Sequence, residues 1–540
     1  MKTIYASDFG IKDKKEIAAE LTKLFKSVGA TDGEKTVAFE SGTYYIDSRK
    51  CEQHMMFITN TVGDMEFAEN EVPHLNRAAF YLEKISDLTV DGNGSVFVID
   101  GKASNAAIVK CKNITLKNIE IRHSNPDLHE LRVVKKRMFS VDFAIDRESS
   151  YETERNNLIF YGDGYRTVND KNAGWIGHIG KNSEDRLSRV LNPLFACVKV
   201  SDIGDRKIRV RYPNTHRFKK GDRYYIYDVR RQYVGIFIDG SEDITLENIK
   251  QRFNYSLAVV AQDSENITVD SVEFAPHEGS AKMMASLADF IQICMCRGRT
   301  VIKNSYFDGA GDDLLNIHGI HFKITDVNGK KITVRFMHPQ THGFNPLRAG
   351  DKIAYIDPKS LVETGEAYIE SSVQTNEYEL VLTVSDTTAA KVGAVIEDVS
   401  ACSQLEFVNN FSTRIITRGL LITTREKVTV ENNRFVSTAM SGILLSDDAE
   451  SWYESGMCRD VTVRNNTFDC CGKTPVLIKP ENRIYSGAVH KNVKILGNTF
   501  KKYDGVCIDA KATDGITVRG NSFANSKKIK TVNCNRVDAE

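Results

Sequence analysis

Several features are scarce in this 540-residue sequence, and each absence narrows the reading. No run of 18 apolar residues occurs, so no segment reads as a membrane-spanning helix. The opening MKTIYASDFG has no apolar h-region, so the chain as written carries no secretory signal. An extracellular or periplasmic protein would need a leader removed; otherwise the cytoplasm is expected. Net charge is missing too. The 72 basic residues balance 72 acidic ones, which leaves no overall field to recruit nucleic acid or an anionic membrane. A neutral substrate fits that balance better than a polyanion, although a local basic patch is compatible with it. Only two tryptophans are present. The eleven cysteines, odd in number and without metal-ligand spacing, read as small apolar side chains rather than a disulfide framework. Cys294 and Cys296, two apart, are expected on one strand face in the core.

What is present is a repeat. At 540 residues the chain exceeds one ordinary core, so several domains or a repeat architecture is required. Ile244-Thr245-Leu246-Glu247-Asn248-Ile249 returns as Ile267-Thr268-Val269-Asp270-Ser271-Val272. Val428-Thr429-Val430-Glu431-Asn432-Asn433-Arg434-Phe435 returns as Val461 to Phe468, Val493 to Phe500 and Ile516 to Phe523. Several steps are 23 residues; longer steps hold a loop. Apolar-polar alternation buries every second side chain, and the Asn-Asn or Gly-Asn pair supplies a corner that tolerates left-handed backbone. Stacked asparagines can hydrogen-bond along the axis while the phenylalanine refills the core. A hairpin sandwich gives no reason for a unit of fixed length, so the fold class is all-β, a right-handed parallel β-helix.

Ile17, Leu21, Leu24, Phe25 and Val28 lie at helical spacing behind the capping-box pattern Asp13-x-x-Glu16, and Gly29 stops the run. This predicts an N-terminal helix that caps the open end of the solenoid. Two stretches break the repeat and resemble each other, Lys207 to Tyr212 matching Lys331 to Phe336. Both are expected to be small antiparallel β-barrels. The division is solenoid over 1–121, first barrel over 122–233, solenoid over 234–319, second barrel over 320–400, and solenoid over 401–540. The second barrel leaves the chain just after Asp312 and Asp313, so it is expected to wall one side of a groove.

Candidate chemistry centres on Leu287 to Gly319. Asp289 precedes Asp312 and Asp313 by one repeat, so adjacent coils, about 4.8 Å apart, bring these carboxylates together. Opposed carboxylates in a groove are what acid/base hydrolysis of a glycosidic bond requires. Burial of Asp289 in its apolar strand would keep it protonated, as a general acid needs. Turn-forming or solvated aspartates are the plain alternative. His277 and His318 are candidates to hydrogen-bond a sugar hydroxyl or a carboxylate, or are structural. The loop Ser446 to Gly456 offers Asp448, Trp452 and Glu454, a sugar-binding aromatic with hydroxyl partners, a calcium loop, or an ordinary acidic loop. Arg425 follows Thr424 as a hydroxyl or carboxylate partner, or a surface ion pair.

Together the solenoid repeat, Pro276-His277, Leu287 to Phe290, Gly311-Asp312-Asp313 with Asn316 and His318-Gly319, Thr424-Arg425 and Ser446 to Tyr453 resemble glycoside hydrolase family 110. These are α-1,3-galactosidases acting on blood-group-B and linear α-galactosyl glycans. The similarity spans nearly the whole chain, both insertions included. It implies an inverting hydrolase with a terminal α-galactosyl glycan as partner and no metal or other cofactor. Asp289 matches the proposed acid, and Asp312 and Asp313 match the carboxylates that activate water. Binding roles for His277, Asn316, His318, Arg425, Asp448, Trp452 and Glu454 extend from their places in the matching motifs. A homodimer is admitted by the exposed solenoid sides and barrels. The rival readings are a polygalacturonase-like or pectate-lyase-like enzyme on an acidic polysaccharide, and a non-catalytic glycan-binding solenoid.

Overall fold

A computed structural model describes residues 2–62, 72–162, 164–169, 175–182, 185–228, 230–524 and 528–540. Stacked coils form its spine. One parallel face runs through Leu75–Glu83, Ser104–Val109, Ile236–Asp239, Val259–Gln262, Ile291–Cys294, Leu315–Asn328, Leu420–Thr423, Ile443–Leu445, Val476–Ile478 and Ile508–Lys511. The repeat strands found in the sequence form the rest of the wall in parallel register, with Ile244 opposite Ile267, Leu405 opposite Val428 and Val493 opposite Ile516. Their inward side chains merge into one core that runs the length of the coils.

The Asn-Asn corner divides its labour. The first position takes the left-handed conformation, at Asn409, Asn432, Asn465 and the glycines Gly497 and Gly520. The second turns inward and forms a ladder. Asn410, Asn433, Asn466 and Asn498 each donate Nδ2–H to the Oδ1 of the next asparagine, ending at Asn521, at 2.9–3.2 Å. Beside it Phe435, Phe468, Phe500 and Phe523 stack with ring centroids 5.0–5.2 Å apart.

The capping helix spans Ala18–Gly29 and buries Leu21, Leu24, Phe25 and Val28. Its capping box is a correction to the sequence reading. Ile17 is the N-cap and supplies no side-chain hydrogen bond. Asp13 instead accepts from Thr43 N–H at 2.7 Å, and residues 15–17 bond along Tyr45, so the box lies on extended backbone. Cys294 and Cys296 also depart from expectation. Met295 between them has φ +53°, which breaks the alternation. Cys294 therefore enters the second insertion's core and Cys296 the solenoid's. None of the described cysteines is joined in a disulfide.

Both insertions are antiparallel. In the second, Leu315–Asn328, Lys331–Arg335, Glu379–Val384, Val362–Gln374, Lys352–Asp357 and Val395–Asp398 pair in turn and close on the first, a six-stranded barrel. Leu315–Asn328 belongs to the solenoid in its first half and to the barrel in its second, which roots the barrel beside the coil. In the first insertion a seven-strand antiparallel ladder runs from Leu187–Leu191 to Lys199–Asp202. Val190 and Val200, from its two end strands, pack on the same core. Among the described residues no helix is long and apolar enough to cross a membrane.

Candidate active site

The register of the parallel face places the candidate residues. Ile291, Leu315 and Leu420 are partners on three successive coils. Two residues before each stand Asp289, Asp313 and Arg418, and one residue after each stand Gln292, Asn316 and Leu421. Two acids and a cation thus share one position on neighbouring rungs. Gly311 is required for this approach, because a Cβ there would lie 2.4 Å from the carbonyl oxygen of Leu287.

Asp289 is buried, 3% exposed, and its Oδ1 accepts the backbone N–H of Asp313 at 3.2 Å. Burial, reinforced by the charges of Asp312 and Asp313, pushes its carboxyl well above the ordinary range, against the opposing pull of Arg231 and Arg418. Asp312 is held the other way. Burial alone would raise it, but Arg231, Arg189 and Arg418 outweigh that and keep it below the ordinary value. Its Oδ2 accepts from Arg231 at 2.7 Å and Arg189 at 3.2 Å, and its Oδ1, 3.1 Å from the Thr417 hydroxyl, shares that group's single proton with Asp313. Asp313 is more fully engaged. Its Oδ1 accepts from Thr417 Oγ1 and from Arg418 N and Nε, both at 2.9 Å, and its Oδ2 lies 2.8 Å from Arg418 Nη2.

These three acids line one cleft of about 470 Å³ with Asn316, Asp448, Trp452 and Glu454. Leu421 and Leu444 continue the Asn316 column as an apolar floor. Asn316 donates to Glu454 Oε1 at 2.9 Å, while its own Oδ1 is buried with no protein partner. Trp452 stacks on His338 at 4.2 Å between centroids. Asp448 is spent on its own loop, accepting the backbone N–H groups of Glu450, Ser451 and Trp452. Among the described residues no group of three or more His, Cys, Asp or Glu side chains has the geometry to hold a metal ion.

His318 lies behind the cleft rather than in its lining. Its Nδ1–H donates to Gly319 O at 2.7 Å, leaving Nε2 to accept from Gln292 Nε2 at 3.1 Å. Asn60 Nδ2 donates to Gln292 Oε1 at 2.8 Å, and Arg231 Nη1 donates to Asn60 Oδ1 at 2.9 Å. The chain from His318 through Gln292 and Asn60 to Arg231 therefore orients the guanidinium that holds Asp312.

Two candidates from the sequence stand elsewhere. His277 is on an exposed loop, its Nδ1–H turned to Glu278 O at 2.8 Å, and it does not line the cleft. Arg425 is locked into the second barrel by Glu363 at 3.0 Å and Glu397 at 2.7 Å. The second barrel reaches the cleft indirectly, through His338 beneath Trp452. The closer wall comes from Arg231 near the end of the first insertion, from Arg189 on its edge strand Leu187–Leu191, and from Asn60 of the N-terminal part. These residues carried no signal in the sequence, since each comes from far along the chain with no motif around it.

Known proteins agree with this architecture. Residues 331–395 match the family model described as GLAA-B beta-barrel domain II, and residues 369–523 match right handed beta helix region. An alpha-1,3-galactosidase A of Bacteroides thetaiotaomicron is 35% identical, covering 97% of this chain and 93% of its own length. One of Akkermansia muciniphila is 30% identical over 85% of this chain and 78% of its own. An alpha-1,3-galactosidase B of Bacteroides thetaiotaomicron is 28% identical over 97% of this chain and 86% of its own. With such a relative matched almost end to end, and with the solenoid, the barrel and the three-acid cleft in place, this chain belongs to the alpha-1,3-galactosidase family, glycoside hydrolase family 110.

Proposed function

We propose that this protein is an inverting exo-glycoside hydrolase that releases terminal α-1,3-linked galactose from a glycan. The observation that carries the reading is the split between neighbouring carboxyl groups: Asp289 is buried and held protonated, while Asp312 is held ionised by guanidinium groups in the same cleft. Groups driven apart in this way divide into acid and base. Asp289 gives its proton to the oxygen leaving C1 of galactose. A water attacks the opposite face of C1, the C1–O bond breaks, and the water's proton passes to a carboxylate. Asp312 is the better base, because its Oδ1 meets only the shared Thr417 hydroxyl and its side chain is 16% exposed, whereas that of Asp313 is 2% exposed, takes three donors on Oδ1 and is gripped on both oxygens by Arg418. Asp313 then anchors Arg418 and holds Asp289 in register. Asn316 and Glu454 face the galactose hydroxyls, and the Trp452 ring lies at the rim for an apolar sugar face.

The relatives' names support the linkage, and the lack of a cationic cluster free of acids in this cleft disfavours a uronate substrate. Proton NMR of a terminal α-1,3-galactosyl disaccharide digest is expected to show β-galactose first; initial α-galactose would rule out single displacement. Asp289→Asn is expected to lose at least 100-fold, on the order of what general acid catalysis contributes, while melting as the parent does. Full activity of that variant would remove Asp289 from the acid role.

A further inference from the structure

The zero net charge of the chain conceals an uneven distribution. Residues 131–142, 191–201 and 207–221 of the first insertion hold eleven lysines and arginines against one acid, Asp142. Asp142 is buried and already shared by Arg137 and Arg209. The three segments form one continuous surface. Ser140 pairs with Arg211 and Arg211 with Lys199 across adjacent strands. Tyr212 N–H donates to Phe139 O at 3.0 Å, Val198 N–H to Arg211 O at 2.7 Å, and Arg217 to Phe195 O at 2.6 Å. Among the described residues no acid pairs with Lys135, Lys136, Lys199, Arg211, Lys219 or Lys220.

Large apolar side chains stand out of this basic surface. Met138 and Phe139, at the tip of a hairpin, are 75% and 58% exposed, and Val198 beside them is 58% exposed. Phe195 adds a fourth. Apolar groups clustered on a surface mark an interaction site, and cations around them select its charge. We propose that this face docks on an anionic lipid bilayer. Met138, Phe139, Phe195 and Val198 enter the boundary between headgroups and acyl chains, and the surrounding lysines and arginines meet the headgroup charge. A soluble polyanion would account for the cations but leave the hairpin tip in water. A second copy seated on the same face would bring two surfaces of like charge together. The proposal is independent of the catalytic reading, since docking needs none of the cleft residues.

Flotation of the full chain with vesicles tests it. At low ionic strength the protein is expected to float with phosphatidylcholine vesicles containing a third phosphatidylserine, and to stay behind with phosphatidylcholine alone. Salt should release it. Lys135→Glu/Lys136→Glu and Lys219→Glu/Lys220→Glu are each expected to lower the partition constant at least about tenfold. Met138→Ser/Phe139→Ser is expected to do the same, with melting and hydrolysis of a soluble galactoside unchanged. No flotation with the phosphatidylserine vesicles, or equal flotation with neutral ones, overturns the proposal. So does full vesicle affinity of the serine variant with displacement by dextran sulfate, which would assign the face to a soluble polyanion.

Discussion

Asp289 and Asp312 carry the same functional group, yet their surroundings push their carboxyl groups in opposite directions from the ordinary range. The difference lies in what surrounds each carboxyl: apolar burial and two like charges for Asp289, two contacting guanidinium groups for Asp312. Arg231 acts on both, lowering each pKa. Replacing it by Met should therefore raise both. The kcat/KM profile depends on Asp312 being ionised on its acid limb and Asp289 being protonated on its alkaline limb. Arg231→Met is accordingly expected to move both limbs to higher pH, and a profile that shifts on only one side would separate Arg231 from the other carboxyl. The base assignment has its own check. An Asp312→Asn variant lacks the proton acceptor, but azide needs none. Added azide is expected to restore turnover of that variant and yield β-galactosyl azide, while leaving Asp313→Asn inactive; rescue of Asp313→Asn instead would exchange the two roles.

At the scale of the element, the asparagine ladder shows why this repeat could be read from sequence. The Asn-Asn pair satisfies two local demands, a left-handed corner and a buried partner for the next coil, so its recurrence is visible without any tertiary information. Asn466 accepts both N–H and Nδ2–H of Asn433 and donates to Val430 O and Asn498 Oδ1. Asn466→Ala leaves these buried groups without partners and is expected to cost about 3 kcal/mol, seen as a lower denaturation midpoint. Asn521→Ala, at the half-buried end of the ladder, should cost less because water can replace the lost bonds. Asp289, Asp312 and Asp313 were legible for a related reason: one repeat separates them, so coil spacing alone brings them together. Arg231, Arg189 and Asn60 were not, because only the folded insertion and the N-terminal loop carry them to Asp312. His277 and Arg425 show the limit of motif reading: each stands beside a recognisable block in sequence, yet one sits on an exposed loop and the other is paired with the second barrel. The capping box failed similarly, since Asp13 and Glu16 meet the pattern while the Asp13 carboxylate is taken by Thr43 and the backbone around Glu16 runs along Tyr45.

On the scale of the whole molecule, the second barrel must stay fixed to the solenoid if His338 is to support Trp452. Two buried polar contacts hold that junction. His321 Nε2 lies 2.7 Å from Asp447 Oδ1, joining the barrel's root strand to the loop that carries Asp448 and Trp452. Arg425, on a solenoid coil, reaches Glu363 and the fully buried Glu397 of the barrel. Glu397 is the sensitive member. Its burial would favour the neutral form, but Arg425 and His321 hold its carboxyl below the ordinary value. Removing the cation alone leaves that charge stranded, whereas removing both charges leaves only a packing change. Arg425→Met is therefore expected to cost about 3–5 kcal/mol of stability and to weaken kcat/KM through the loosened Trp452 platform. Arg425→Met/Glu397→Leu is expected to recover most of both losses. Denaturation midpoints and kcat/KM for the single and double variants decide the matter: recovery of stability without activity would place Arg425 in contact with the substrate, and recovery of both makes it the fastener between barrel and solenoid.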